Sequence, residues 1–141
     1  NLIYGEQMPL SDEATFQIDL TTGWDFSDAF YLGLNTTYNS TDGEGFYGAA
    51  VYPQIQTSEN FAIGLRAEYF KELEDGGPVY GADAEALDFT LTGSYTLGSL
   101  TLKPELRLDK VSNTASPVFL NSDLEGTDNL SSFVLAAIYA F

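Results

Sequence analysis

The feature that most constrains the fold of this chain is an alternation of apolar and polar residues with a period of two. Between Phe16 and Phe26 the even-numbered positions hold apolar residues or Thr, whereas the odd-numbered positions hold polar residues or Gly. Successive side chains of a β-strand point to opposite faces of a sheet, so this pattern predicts a strand with one apolar face. The further segments with the same pattern are 30–38, 47–56, 61–70, 87–95, 100–109 and 133–141. These segments, and the scarcity of helical periodicity, predict an all-β fold.

The connections between these segments alternate in length. The short turns are predicted at 27–28, 57–60 and 96–99, and the long acidic loops at 39–45, 71–86 and 110–131. In an antiparallel up-and-down meander, this alternation puts all the long loops at one end of the sheet. The loop acids, among them Glu72 and Glu74, are interpreted as solvated. We see no linker, and we predict one domain over residues 1–141.

Composition excludes several classes of function. The chain has no Cys and no His, so a disulfide framework, a thiolate metal site and a His-based general base are impossible. It carries 5 Lys+Arg against 21 Asp+Glu, and this net charge of −16 repels phosphate, so we expect no nucleic-acid partner. The sequence lacks a Gly-x-Ser-x-Gly nucleophile elbow. We therefore predict that the chain is not an enzyme, and we assign it no catalytic residue, cofactor or metal.

An alternating meander fits two kinds of barrel. In a soluble barrel of the lipocalin kind the apolar face points inward, whereas in a membrane barrel it meets lipid and the polar face lines the lumen. The predicted strands run about nine to eleven residues, which is the length that a tilted strand needs to cross a bilayer. The apolar faces of the predicted strands contain no charged residue. These features, together with the unequal loops, favour a transmembrane β-barrel.

Aromatic residues gather at the two ends of the predicted strands, and mostly Leu, Ile, Val and Ala lie between them. Those near the short turns or the C-terminus are Trp24, Phe26, Phe30, Phe61, Tyr95, Tyr139 and Phe141, and those near the long loops are Tyr38, Tyr47 and Tyr69. Aromatic belts at both interfaces are typical of membrane proteins. We predict that these ten side chains form a lipid-facing girdle.

The alternation also predicts which side chains face lipid and which face the lumen. The apolar set predicted to face lipid is Phe16, Leu32, Leu65, Leu91, Leu106 and Leu135, and the set predicted to face inward is Gln17, Asn35, Arg66, Thr92, Arg107 and Ala136. The charged candidates for the pore lining are Asp19, Arg66, Glu68, Asp88, Lys103, Glu105, Arg107 and Asp109.

Folding the chain at the turn 96–99 predicts three cross-strand pairs on the polar face. These pairs are Asp88 with Arg107, Thr90 with Glu105, and Thr92 with Lys103. Two hypotheses remain open for this cluster. In a wide barrel it would form a charged constriction that biases the passage of solutes, and in a narrow barrel it would be a ladder of salt bridges that stiffens the wall.

The last segment, 133–141, resembles the C-terminal signature of bacterial outer-membrane proteins, a terminal aromatic residue preceded by apolar residues at every second position. The hairpin 22–35 and the segments 64–70 and 102–109 resemble the OmpL-like porin family. This resemblance covers the chain from about Thr15 to its end.

The resemblance implies a porin-like barrel in the bacterial outer membrane that lets small solutes diffuse passively through a polar lumen. It implies that the assembly machinery of the outer membrane recognises the terminal strand, with Phe141 as the signal. The implied partners are outer-membrane lipid, that machinery and small solutes. A homo-oligomer or a larger outer-membrane complex is a further partner that this class allows.

The number of strands leaves the size of the barrel open. Bacterial single-chain barrels have an even number of strands, whereas the pattern gives seven full strands and a stub at Asn1–Tyr4. We expect the chain to be the C-terminal seven or eight strands of a larger barrel. The alternatives are a complete eight-stranded structural or adhesion barrel without conductance, closed by pairing of 133–141 with 1–10, and a soluble lipocalin-like binding barrel.

Overall fold

A computed structural model of the chain describes residues 1–6 and 12–141, and in these residues all regular structure is β. The strands are β1 (Leu2–Glu6), β2 (Ala14–Ser27), β3 (Phe30–Thr41), β4 (Glu44–Ser58), β5 (Phe61–Glu72), β6 (Glu85–Leu97), β7 (Leu100–Ser112), β8 (Phe119–Leu120), β9 (Gly126–Thr127) and β10 (Asn129–Tyr139). The predicted all-β class is confirmed. Within the described residues, no helix has the length and apolarity needed to span a membrane.

Eight strands form a single antiparallel sheet in the order β1-β2-β3-β4-β5-β6-β7-β10. Each of these strands pairs with its neighbours along the chain, apart from the small β8–β9 hairpin inserted between β7 and β10. The predicted up-and-down meander is therefore confirmed. The N-terminal stub pairs antiparallel with β2, from Leu2 opposite Ile18 to Glu6 opposite Ala14.

The sheet is open at β1 and β10. Over the residues that the structure describes, β10 pairs with β7 alone and β1 pairs with β2 alone. The closure of 133–141 onto the N-terminal segment, which an eight-stranded barrel requires, is not observed, although residues 7–10 of that segment lie outside the described residues. The origin of the chain in a longer barrel stays a prediction.

Tight turns join the strands at one end, as predicted. The turns are Asp28–Ala29, Glu59–Asn60 and Gly98–Ser99, each between two paired strands. At the first turn the Ser27 hydroxyl accepts hydrogen bonds from the backbone N–H groups of Ala29 and Phe30, at 3.3 and 3.1 Å. This side chain satisfies two donors that would otherwise lie free at the strand end.

The prediction of a long loop at 39–45 is wrong. The structure has a two-residue turn, Asp42–Gly43, and the ladder between β3 and β4 continues to the pair Thr41–Glu44. Both turn residues have positive φ, 49° for Asp42 and 90° for Gly43. Asp-Gly is a preferred pair for such a hairpin turn, because Gly adopts this backbone conformation without steric cost. The polar run Asn39–Thr41 belongs to the strand.

The other two long loops are confirmed but are shorter than predicted. They span residues 73–84 and 113–128, because β7 continues to Ser112 and β10 begins at Asn129. Lys110 and Asn129 are partners in the β7–β10 ladder. The long strands accordingly have 11 to 15 residues. Polar residues at the strand ends made the predicted breaks too wide.

The predicted pairing of β6 with β7 is wrong by two residues. The observed partners are Asp88 with Asp109, Thr90 with Arg107, and Thr92 with Glu105. The cause is the turn, which holds only Gly98 and Ser99 instead of the four residues that we predicted. A shift by an even number of residues keeps every side chain on its predicted face.

The apolar face of the sheet is exposed. Leu91, Leu106 and Leu135 on this face are 48%, 55% and 62% exposed. The described apolar residues that are buried are four small or medium ones, Ala50, Ala84, Ala86 and Val111. No dry interior forms from the apolar face in the described part of the chain, which is the opposite of what a soluble barrel requires.

Candidate functional site

The polar face of β4 to β7 forms a cleft of about 260 Å³. Side chains of this face that line it are Tyr52, Gln54, Arg66, Thr90, Thr92, Ser94, Lys103, Glu105 and Arg107. Three of the five basic residues of the chain are among them. The cleft therefore concentrates positive charge in a chain whose net charge is −16.

Two arginines lie at the same level of the polar face, on the two strands that flank β6. Arg66 on β5 is the partner of Thr90 on β6, which is the partner of Arg107 on β7, and we call these three residues the arginine row. The Arg66 guanidinium lies 5.8 Å from the ring centre of Tyr52, within the range of a cation–π interaction. In the described residues, Arg66 Nε and Thr90 Oγ1 are buried without a hydrogen-bond partner.

A second row, one step closer to the long loops, holds three carboxylates. Glu68, Asp88 and Asp109 are partners across β5, β6 and β7, and we call them the acidic row. Arg107 Nη2 lies 2.6 Å from Asp109 Oδ1 and 3.6 Å from Asp88 Oδ2, and Arg66 pairs with Glu68. The two rows thus neutralise most of each other's charge along the strand direction.

Lys103 and Glu105 lie on the other side of the arginine row, towards the short turns. The Glu105 carboxylate accepts a hydrogen bond of 3.0 Å from the Thr92 hydroxyl. The ammonium group of Lys103 has no ion pair with any residue that the structure describes. Lys103 therefore offers a positive charge to whatever occupies the cleft.

The structure brings together seven of the eight charged candidates. The residues on the polar face of β5 to β7 are Arg66, Glu68, Asp88, Lys103, Glu105, Arg107 and Asp109. Asp19 is on β2, three strands from β5, and belongs to a different cluster. Its carboxylate accepts hydrogen bonds from Thr37 at 2.5 Å and from Gln17 at 2.9 Å. In this part of the polar face, uncharged side chains donate hydrogen bonds to one acid.

The loop 73–84 folds back onto the polar face, and a buried carboxylate holds it there. Glu72, at the end of β5, has no exposed surface and accepts hydrogen bonds from the backbone N–H groups of Val79 at 2.6 Å and Tyr80 at 2.8 Å. Gly45 N–H donates to the carbonyl of Gly76 at 2.9 Å, which attaches the loop to β4 as well. The interpretation of Glu72 as a solvated acid is wrong.

The side chain of Tyr80 attaches this loop to the aromatic residues of the polar face. Its ring packs edge-on against Phe70 at 6.3 Å, and Phe70 packs against Phe46 at 5.3 Å. Burial, followed by the negative charges of Asp88 and Asp109, raises the pKa of Tyr80 above its usual value. Tyr80 therefore stays a neutral phenol at physiological pH. Sequence reasoning missed this contact, although the aromatic Phe70 at an inward position of β5 was a signal for it.

The aromatic residues predicted as a girdle pair across strands on the exposed face. At the short-turn end Phe26 stacks on Phe30 at 5.6 Å and Phe61 contacts Tyr95 at 6.5 Å. At the long-loop end Tyr47 contacts Tyr69 at 6.2 Å. The exposed members of this set include Trp24, Phe26, Tyr38, Tyr47, Tyr95, Tyr139 and Phe141.

Comparison with known proteins gives one family. The model of the family described as "Putative beta-barrel porin-2, OmpL-like" matches residues 1–141. No curated protein and no solved structure gives a significant match. The match covers the whole chain, including all eight strands of the sheet and the cleft on its polar face. The chain therefore belongs to the OmpL-like family of β-barrel porins.

Proposed function

We propose that the chain forms part of the wall of a pore in the bacterial outer membrane, through which small solutes diffuse passively. In this proposal the polar face lines the aqueous path and the apolar face meets lipid. The observation that carries it is the separation of the two faces. The charged rows and the cleft lie on one face, and an exposed apolar face with aromatic ends lies on the other.

The distribution of charge supports two roles for the polar face, which are to contact solutes and to stiffen the wall of the barrel. The three acids and two arginines of the two rows are joined in ion pairs, as a stiffening ladder requires. Lys103 is outside these pairs, and the Tyr80 side chain of the folded-in loop packs against Phe70 on the polar face. We infer that the ladder keeps the rows in place, while Lys103 and Tyr80 contact the passing solute.

Conductance is the direct test. The intact protein, refolded and inserted into a planar bilayer, is expected to give discrete current steps in salt solution, and liposomes that contain it are expected to swell in small sugars. A correctly inserted protein without current steps or swelling would overturn the pore and favour the structural or adhesion barrel.

Family membership also supports proposals about where the protein resides and how it is assembled. We propose that the protein resides in the bacterial outer membrane, that its assembly machinery binds β10, and that Phe141 is the recognised residue. Phe141 follows β10 and is fully exposed, so it is accessible to such a partner. Family membership and the sequence give no support to a catalytic role, and we propose none.

A further inference from the structure

A groove of about 300 Å³ lies on the exposed side of the sheet, near the long-loop end of β6, β7 and β10. The outward-pointing side chains that line it are Leu87, Phe89, Leu108, Lys110, Asn129 and Ser131. The floor is apolar, Lys110 and Asn129 lie at the end nearest the loops, and Ser131 lies two residues deeper, opposite Leu108. The groove thus combines an apolar slot with a basic and amide-bearing end.

Lys110 is exceptional on this face. The charged residues on the outward side of the described strands are Glu6, Lys71, Glu85 and Lys110, all near the long-loop end of the sheet. Lys71 Nζ is neutralised by Asp83 at 2.8 Å and by Glu85 at 3.1 Å. In the described residues Lys110 has no ion pair, so it is the uncompensated cation of this face.

The register places Lys110 at the level of the aromatic girdle. Tyr69, Leu87, Lys110 and Asn129 are successive partners across β5, β6, β7 and β10. Girdle residues such as Tyr69 lie where the head groups of a bilayer meet its hydrocarbon. A lysine there lays its aliphatic part along apolar surface and keeps its ammonium group among the head groups. The geometry therefore places the Lys110 ammonium group at the depth of the lipid phosphates.

We propose that this groove binds one anionic lipid, whose head-group phosphate pairs with Lys110 while an acyl chain lies along Leu87, Phe89 and Leu108. Asn129, opposite Lys110 in the β7–β10 ladder, adds a hydrogen-bond donor on the neighbouring strand. Charge complementarity selects an anionic head group over a zwitterionic one, because Lys110 supplies a cation, while the acid among the lining residues, Asp109, lies on the polar face and pairs with Arg107. The proposal rests on the proposed function, in which the apolar face meets lipid.

Native mass spectrometry of the intact protein in detergent tests the proposal. The protein is mixed with equal amounts of phosphatidic acid and phosphatidylcholine with identical acyl chains. We expect one bound phosphatidic acid in preference to phosphatidylcholine, and an affinity about fivefold lower for Lys110→Gln, as expected for one lysine at a membrane surface. The matched control is Lys103→Gln, which removes the same charge from the opposite face of β7 and should bind as the unaltered protein does.

Each other outcome is decisive. If Lys110→Gln binds phosphatidic acid as well as the unaltered protein, or if Lys103→Gln loses as much affinity, the site is overturned. Equal binding of the two lipids overturns the anionic site and leaves the lipid-facing sheet standing. If neither lipid binds, the site is overturned, whereas the proposed pore is judged separately by its conductance. The shift of the folded band in unheated gels verifies that each variant is folded.

Discussion

Asp88 and Asp109 are direct partners across the β6–β7 ladder, and Arg107 contacts both carboxylates. Like charges directly opposite each other destabilise a pair of strands. The two acids are mostly buried, with 13% and 8% of their side-chain surface exposed, so water does little to separate their charges. The positive charge of Arg107 therefore offsets the repulsion between the two facing carboxylates.

Replacing Arg107 with Gln should destabilise the protein by about 1–2 kcal/mol, because it leaves the acids facing each other while partial exposure screens the lost interaction. The free energy of unfolding, from urea titration of the protein in lipid bilayers, measures this effect. The second substitution Asp109→Asn should recover most of the loss. If the double variant is as unstable as Arg107→Gln alone, repulsion between the acids is not the cause.

Replacing Glu72 with Ala should release the loop 73–84 from the polar face. The backbone N–H groups of Val79 and Tyr80 lose their buried acceptor, at a cost of about 1–3 kcal/mol for each unsatisfied donor. We expect faster chymotryptic cleavage at Tyr80 and a larger single-channel current. Glu74→Ala, which removes an exposed acid of the same loop, is the control and should change neither. Unchanged cleavage in Glu72→Ala would show that the loop is held by other contacts.

A charge in the middle of the apolar face should oppose insertion. Leu91→Arg is expected to cost about 2–4 kcal/mol of folding free energy in a bilayer, the cost of a basic residue at the bilayer midplane. Thr92→Arg places the same residue next to it in the sequence but on the polar face, and should cost much less. Equal costs for the two variants would contradict the assignment of the faces.

Reversing the charge of Lys103 should alter ion selectivity. In Lys103→Glu the reversal potential measured in a salt gradient should shift towards greater selectivity for cations, because the cleft loses an ammonium group and gains a carboxylate. Lys110→Gln lies on the other face of β7 and should leave the reversal potential unchanged. A shift of equal size in both variants would mean that the cleft is not the ion path.

Removing the terminal aromatic ring should impair assembly. Phe141→Ala is expected to lower the amount of folded protein in the outer-membrane fraction, as judged by the folded band in unheated gels. Phe26→Ala removes an exposed ring of the girdle that lies outside the terminal strand and serves as the control. Normal assembly of Phe141→Ala would remove this residue from its proposed role as the signal.

The faces of the sheet follow from the sequence because the pattern is local. Side chains such as Leu65 and Arg66 take opposite sides of β5 wherever the strand begins or ends, so neither the strand bounds nor the register affects that prediction. The register between strands was harder to predict, because it depends on turn length. Reading Thr96–Ser99 as a four-residue turn moved Asp88 from Asp109 to Arg107.

The folded-in loop lay beyond sequence reasoning for a different reason. Glu72 looks like its neighbour Glu74 in the sequence, and only the return of Val79 and Tyr80 onto the polar face distinguishes them. That return joins residues seven and eight positions apart across an irregular loop, and no periodic pattern encodes it. By contrast, Asp42–Gly43 carried a recognisable local signal, since this pair favours a tight hairpin turn over a long loop.

The order of the acidic row and the arginine row gives the polar face an electrical direction. An ion that travels from the loop end meets Glu68, Asp88 and Asp109 before Arg66 and Arg107, and an ion that travels the other way meets them in reverse. The ion pairs join the oppositely charged groups at short distances, so the two rows together form a line of aligned dipoles across β5, β6 and β7. An ion that enters such a pore from the loop end would meet the negative end of these dipoles first, and an ion that enters from the short-turn end would meet the positive end first.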